Sequence, residues 1–370
     1  MAQLRQFWRG VSVPITAVII SLLIGAGLLY ISGASPWEAY SALMDGAFGD
    51  AKGVQRTLEK ATPLIFSGLA VAFAFKAGLF NIGAQGQLVF GALAAAVVGT
   101  SFASLPTVVH IPLTLLAGVV AGGLYGAIPG ALRTYTGAHE VITTIMLNYI
   151  ALNITDYLAN GPLKDPTSLA VARTPKILET AALNPIMIGE YSLPLGFFLS
   201  VVVAALIWWL LWKTTLGFEI RTVGQNPDAA RYAGIKVSRI IILTMLISGA
   251  LAGFGGSVET QGVVGRFQPG FNSGLGFDGI TIALLAKTNP FGVIPAALLV
   301  GAMRAGASKM QFQADVATEI IDMIQAIILF FVAAEVIIRF ILRQNDTDNQ
   351  ILDVEPTKTA DLAEKNSSGD

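Results

Sequence analysis

The 370-residue chain has no cysteine and only two histidines, His110 and His139. Without thiols it can build neither a disulfide framework nor a thiolate metal site, and two isolated imidazoles fall short of the usual zinc ligand set. Charge is scarce as well: 13% of the residues are Asp, Glu, Lys or Arg, and the net charge is −1. With a pI near 6.2 there is no basic surface of the kind nucleic acid requires. A P-loop is also missing. Gly301 and Gly306 have its spacing, but Ala307, ahead of Ser308, stands where the Lys that holds phosphate would be. Gly274-Leu275-Gly276-Phe277-Asp278-Gly279 fits G-x-G-x-x-G, yet it lies within an apolar run with no strand before it, which argues against a dinucleotide site. The chain therefore carries no expected metal, cofactor or nucleic-acid site and no ATPase motif of its own.

What the chain has in abundance is apolar surface: 54% of its residues are hydrophobic, and its mean hydropathy is +0.66. Apolar runs fall near 13–31, 61–77, 87–105, 111–132, 141–159, 193–212, 240–258, 274–288, 291–306 and 319–342. This pattern predicts an all-α polytopic membrane protein with about ten transmembrane helices in the lipid bilayer. The first run follows Arg5 and Arg9 and resembles a signal peptide ending near Ser32-Gly33-Ala34, but its length favours an uncleaved helix. Threading from a cytoplasmic N-terminus puts Lys76, Arg133, Lys213, Arg221 and Arg239 inside, and Lys52, Lys164, Arg173, Arg304 and Lys309 outside. Ten spans return the C-terminus to the cytoplasm. Residues 1–343 then form the membrane domain, and the polar stretch 344–370 is expected to be a disordered cytoplasmic tail.

Polar residues inside these runs are the candidates for a pathway. In Gly78-Leu79-Phe80-Asn81-Ile82-Gly83-Ala84-Gln85-Gly86-Gln87, three glycines each weaken helix by about 1 kcal/mol, which predicts a break. A break at membrane depth must lie against protein or water. Asn81 and Gln85 share a face if a turn survives, with Gln87 off it, and together they can hydrogen-bond a polar solute. The alternative is that they satisfy the backbone groups freed by the break. On the fifth run, Glu140, Thr144 and Asn148 recur every four residues, followed by Thr155 and Asp156. Such a stripe should face the bundle interior. Glu140 can line the pathway or pair with Arg133 or His139. Glu319, Asp322 and Gln325 share one side of the last run, with Glu335 farther in, and Asp278 sits in the eighth. Gly118, Gly122, Gly126 and Gly130 at four-residue spacing predict close helix packing, within one subunit rather than between two.

Two polar connections stand out. Residues 214–239 carry helix signals of their own: Asn226 can cap, Pro227 suits the first position, Asp228 favours the positive end and Gly234 can terminate. The resulting two-turn helix, with Ala229, Ala230 and Ala233 beside Arg231 and Tyr232, is expected to dock into another protein as a knob of small residues. Residues 161–192, with four prolines, are the longest outer connection, available to a partner or simply solvated.

Residues 78–83 with Gly86-Gln87, and more specifically Thr215-Leu216-Gly217 through Arg221-Thr222-Val223-Gly224-Gln225-Asn226-Pro227-Asp228-Ala229-Ala230-Arg231-Tyr232-Ala233-Gly234-Ile235, resemble the permease subunits of bacterial ABC importers. The family is that of the branched-chain amino acid and simple-sugar permeases, nearest its nucleoside type, and the resemblance runs over most of 10–343. It departs at Gln85, a position often acidic in the family. The resemblance implies a type II-like importer permease in the bacterial plasma membrane. It also implies cytoplasmic ATPase partners that use ATP and Mg²⁺ and grip 214–239, a second identical or paralogous permease, and an extracytoplasmic solute-binding protein. Gly217, Arg221, Gly224, Asn226, Pro227, Ala229, Ala230, Arg231 and Gly234 carry the gripped loop. A weak internal repeat is expected, residues 274–279 echoing 78–83 and Glu319–Gln325 echoing Glu140–Met146. The expected function is import of a small polar solute, a nucleoside or, alternatively, a simple sugar, by alternating access. The rival class is an ion-gradient transporter working through Glu140, Asp322 or Glu335. An intramembrane enzyme lacks any clustered catalytic groups in the sequence.

Overall fold

The structure is a computed structural model that describes residues 2–168, 170–270, 273–317 and 319–333. Glu335 and the expected tail lie outside the described residues. In chain order the helices are α1 (Ala2–Ile31), α2 (Pro36–Phe48), α3 (Ala51–Lys76), α4 (Ala84–Thr100), α5 (Thr107–Thr136) and α6 (Glu140–Asn160). A two-stranded hairpin follows, β1 (Ile186–Ile188) antiparallel to β2 (Tyr191–Leu193). The chain continues through α7 (Leu195–Lys213), α8 (Thr215–Gln225), α9 (Pro227–Tyr232), α10 (Val237–Glu259), α11 (Leu275–Leu285), α12 (Pro290–Ala314) and α13 (Glu319–Ala333).

Each of the ten apolar runs coincides with a helix over most of its described residues. Among the described residues six helices are long and apolar enough to cross a bilayer: α3, α5, α6, α7, α12, and α10 with the π turn that extends it to Val264. The apolar part of α1 meets α2 at 120°. At 17 and 11 residues, α4 and α11 reach about 25 and 16 Å, short of the ~30 Å hydrocarbon core. Both are short because a glycine-rich segment precedes them. The order of long helix, break, short apolar helix, long helix and helix with an acid–amide face occurs twice, in α3–α6 and again in α10–α13.

Helix starts repeat one device. Ser35, Asn226 and Asn289 each accept a backbone N–H with the side chain, and each precedes a proline, at the starts of α2, α9 and α12. The cap satisfies an orphan donor, and proline has no donor to lose. The ninth run, expected to end at 306, continues as helix to Ala314. Arg304, expected outside, is on α12 and pairs with Asp278 of α11.

The middle of α10 forms the centre, with no exposed residue between Ile240 and Gln261. Its Gly249 and Gly253 meet the glycine stripe of α5: a Cβ at Gly122 would lie 2.6 Å from Gly253 Cα, and one at Gly126 2.8 Å from Gly249 Cα. The stripe thus packs helices within this chain, since only bare backbone allows that approach. Gly301 and Gly306 do the same work on α12, against the backbones of Ala61 and Leu43.

The 161–192 connection is bound to the protein rather than loosely solvated. Ile177 N–H donates to Gly265 O (2.9 Å), Leu178 N–H to Gly99 O (2.8 Å), Leu183 N–H to Gln261 O (3.1 Å) and Thr174 N–H to Phe267 O (2.9 Å). His110, fully buried on α5, holds Thr180 Oγ1 at 2.9 Å and Val98 O at 3.1 Å. Asp165 accepts from the Thr167 hydroxyl (2.6 Å) and amide (2.9 Å) and faces Arg173 and Arg266. These hydrogen bonds, with the two arginines, hold its carboxyl below the ordinary aspartate value.

Candidate functional site

The break between α3 and α4 is the organising feature. Gly78 adopts φ +69°, its N–H donates to Phe75 O (3.0 Å), and the Leu79 N–H reaches back to Ala74 O (3.1 Å). This paired closure ends α3 at a residue that only glycine suits well. Helix resumes at Ala84, so residues 79–83 leave backbone groups that must be satisfied inside the protein.

The α6 stripe satisfies them. Asn148 Oδ1 accepts Gly86 N–H (2.8 Å), and Asn148 Nδ2 donates to Ile82 O (2.9 Å). Glu140 Oε1 lies 3.4 Å from the Phe80 amide, which donates to it. Thr144 donates to Glu140 O (2.7 Å) and packs beside Gly83. Glu140, Thr144 and Asn148 are all buried. Glu140 also forms an ion pair with Arg133, with His139 Nδ1 at 3.5 Å. The 78–87 segment and the α6 stripe, read in the sequence as two linings, are thus one joint in which each needs the other.

Asn81, Gln85 and Gln87 are fully buried in this conformation. Asn81 pairs with Gln87 rather than sharing a face with Gln85: its Nδ2 donates to Gln87 Oε1 (2.8 Å) and to Ser248 Oγ (2.8 Å), and Gln87 Nε2 donates back at 3.2 Å. The reason is that residue 81 is not helical, so helical spacing does not apply to it. Ser248, a residue the sequence reading missed, donates to Ala70 O (2.6 Å) and so ties α10 to α3 and to the break.

Gln85 faces the second break. Gly276 N–H donates to Gln85 Oε1 (2.8 Å), and a Cβ on Gly276 would run into the backbone of Ala84 and Gln85. The positive N-terminal ends of α4 and α11 therefore meet here. Asp278, in the first turn of α11, forms an ion pair with Arg304 and accepts from Gln325 Nε2 (2.7 Å). Of the three polar residues predicted to share a face on α13, Gln325 joins this cluster, whereas Glu319 and Asp322 are exposed.

The 214–239 segment is packed onto the bundle at several points. Thr214 caps α8 by accepting Gly217 N–H (3.1 Å), and Gly217 lies directly on the backbone of Leu210 and Leu211. Trp212, also missed in the sequence, takes Arg221 and Lys76 over its ring at 5.8 and 5.5 Å, joining α7, α8 and α3. A Cβ at Gly224 would stand 2.9 Å from the Lys76 carbonyl carbon, and one at Gly78 3.2 Å from Gly224 O. The end of α8 thus rests on the turn that begins the break.

On α9, Asn226 Oδ1 accepts from Asp228 N–H (3.0 Å) and Ala229 N–H (2.9 Å), Pro227 follows the cap, and Gly234 at φ +84° ends the turn. Arg231 pairs with Asp228 at the surface, 3.0 Å apart. Ala230 corrects the sequence reading: it is 0% exposed and packed into this chain's own core, so it is not part of a presented knob. Ala229 and Ala233, four apart, share an exposed face with Tyr232, which is 95% exposed.

Residues 53–333 match the family described as branched-chain amino acid transport system / permease component. The chain is 44% identical over 338 residues to the guanosine ABC transporter permease protein NupP of Bacillus subtilis, covering 89% of this chain and 95% of that one. It is 36% identical to the nucleoside ABC transporter permease protein NupB of Lactococcus lactis subsp. cremoris, covering 90% and 93%. A glucose ABC transporter permease protein of Haloferax volcanii is 34% identical, with 90% of each chain covered.

Proposed function

Because this chain belongs to the branched-chain amino acid transport system permease component family, we propose that it is the membrane-spanning subunit of an ABC importer for nucleosides. The nucleoside assignment rests on the guanosine and nucleoside permeases it resembles along nearly their whole length. The glucose permease is a more distant relative. In this reading ATP and Mg²⁺ are used by cytoplasmic ATPase partners, a second permease completes the pathway, and an extracytoplasmic binding protein delivers the solute. Residues 214–239 and both termini face the cytoplasm.

The observation that carries the mechanism is the contact between Gly224 and the Lys76–Gly78 turn. An ATPase that closes on ATP displaces α9, and α8 carries that displacement to the turn without side chains to cushion it. The turn opens directly into the break that Asn148, Asn81 and Gln87 hold. Alternating access needs an element with two positions, and a broken helix clamped by a few hydrogen bonds is such an element. Glu140, one of the acids a gradient-driven transporter would require, is already committed to Arg133.

The test is to purify the complex gently with either Tyr232→Asp or Ala233→Glu in this chain. Both positions are exposed, so the permease itself should fold. The expected result is loss of the ATPase from the complex, with the permease recovered at its normal yield. Stoichiometric recovery of an ATPase with both variants would remove α9 as the docking element.

A further inference from the structure

Two helices at the edge of the bundle have exposed sides suited to lipid. The exposed side chains in the middle of α5 are Leu113, Leu116, Val120, Leu124 and Ile128, and those along α7 include Phe198, Val202, Leu206 and Trp209. Neither helix exposes an amide or an acid between its end turns. On α6 the outward side is mixed: its first half exposes Ile142 and Met146, and polar groups follow in its second half. Opposite the buried Glu140–Asn148 stripe, Tyr149, Asn153, Asp156 and Asn160 are exposed, and their spacing of four, three and four residues keeps them on one helical face. Tyr157, 71% exposed, flanks them.

From Tyr149 onward this face is unsuited to hydrocarbon. α6 has 21 residues and so runs about 31 Å, the depth of a bilayer core. Tyr149 is near its middle, and Asn153 is one turn farther along. Among the described residues the Tyr149 phenol makes no hydrogen bond, and Asn153 makes one, from Nδ2 to Tyr149 O (2.8 Å). Asn160 Nδ2 donates to Asp156 Oδ1 (3.0 Å). Lipid would leave the phenol and the Asn153 carbonyl unpaired, at a cost that the middle turns of α5 and α7 avoid. Beside the stripe, Asn153, Thr155 and Asp156 open onto a cleft of about 280 Å³ closed on its other side by Val89, Pro269 and Gly270. That volume is close to the ~300 Å³ at which small-molecule sites begin.

We propose that the Tyr149–Asn153–Asp156–Asn160 face of α6, not the Glu140–Asn148 face, is the wall of the pathway that the solute touches, and that its chemistry fits a nucleoside. The proposal rests on the permease reading above and adds the residues that meet the solute. The rings of Tyr149 and Tyr157 offer flat surfaces to a base. The Asn153 amide both donates and accepts, as the edge of a base requires, and the Asp156 carboxylate accepts from sugar hydroxyls.

The absence of cysteine makes the test direct, since any introduced thiol is the only one in this chain. Tyr149→Cys, Asn153→Cys and Asp156→Cys would be compared with Leu124→Cys and Val202→Cys in membranes holding the complete transporter, using a charged maleimide. A thiol reacts as thiolate and so needs water. The three stripe positions should be labelled about tenfold faster or more than the two lipid-facing ones, and saturating nucleoside should slow them and no others. Labelling as slow as at Leu124→Cys overturns the proposal, and so does fast labelling that nucleoside leaves unchanged. Nucleoside uptake by the unsubstituted complex is measured in parallel. If uptake is absent the permease reading falls, while the labelling rates still decide whether this face meets water. Three positions keep the outcome independent of one variant's folding.

Discussion

Asn148→Leu would separate the two faces of α6 by a quantity the structure fixes. Asn148 is buried and bonds to two backbone groups of the break, Gly86 N–H and Ile82 C=O. Leucine has similar bulk and no polar atom, so both groups would be left unpaired in a region without water. Each costs about 1–3 kcal/mol, or about 2–6 kcal/mol together. A protein's whole margin is about 5–15 kcal/mol, so the variant should lose a large part of its stability. The assay is thermal unfolding of the purified chain in detergent, followed by monodispersity on size exclusion. The control is Tyr149→Leu, one residue along and outward, which strands nothing and should stay within about 0.5 kcal/mol of wild type. Tyr149→Leu should instead weaken nucleoside binding. An Asn148→Leu protein that melts with wild type, or a Tyr149→Leu protein that is the less stable of the two, would refute the assignment of the inner face to structure and the outer face to solute.

Two further outcomes follow from the geometry. Gly224→Ala puts a Cβ 2.9 Å from the Lys76 carbonyl carbon and 3.0 Å from that of Ala77, an overpacking that costs about 1–3 kcal/mol. The ATPase should still be recovered with the complex while ATP-driven uptake falls, and uptake equal to wild type would show that this contact does not couple the two. Asp165 has a carboxyl held below the ordinary value by Thr167, Arg173 and Arg266. Its stabilisation is therefore complete above the unfolded value of about 3.9 and disappears as pH falls through the lower folded value. Asp165→Asn should be less stable than wild type at neutral pH, and the difference should close only below about pH 4. A difference that is the same at both pH values would assign the effect to lost hydrogen-bond geometry instead of charge.

The helices were legible because the runs of apolar residues are long and the spaces between them polar. The α9 start was legible from Asn226-Pro227, and the same rule read at Ser35-Pro36 would have found α2. The break at 78–83 followed from its glycines. Its partners did not, because a stripe of residues at spacing four identifies one face of α6 without saying what lies against it. Asn148 meets backbone more than sixty positions earlier. Likewise, the polar pattern of α6 marks two faces, and only the burial of one and the exposure of the other tells them apart. Ala230 is a different case. Ala229, Arg231, Tyr232 and Ala233 are exposed on every side of it, so its inward position comes from what packs against it and not from helical spacing. The meeting of α4 and α11 at Gln85 and Gly276 is a matter of tertiary packing across nearly two hundred residues, which no local pattern encodes.

The most direct measurement is uptake of a labelled nucleoside into proteoliposomes that hold this chain with its ATPase and second permease, supplied with the solute-binding protein. The account predicts accumulation that requires hydrolysable ATP, is lost with a non-hydrolysable analogue, and is insensitive to an uncoupler. Accumulation driven by an ion gradient in the absence of ATP would contradict it.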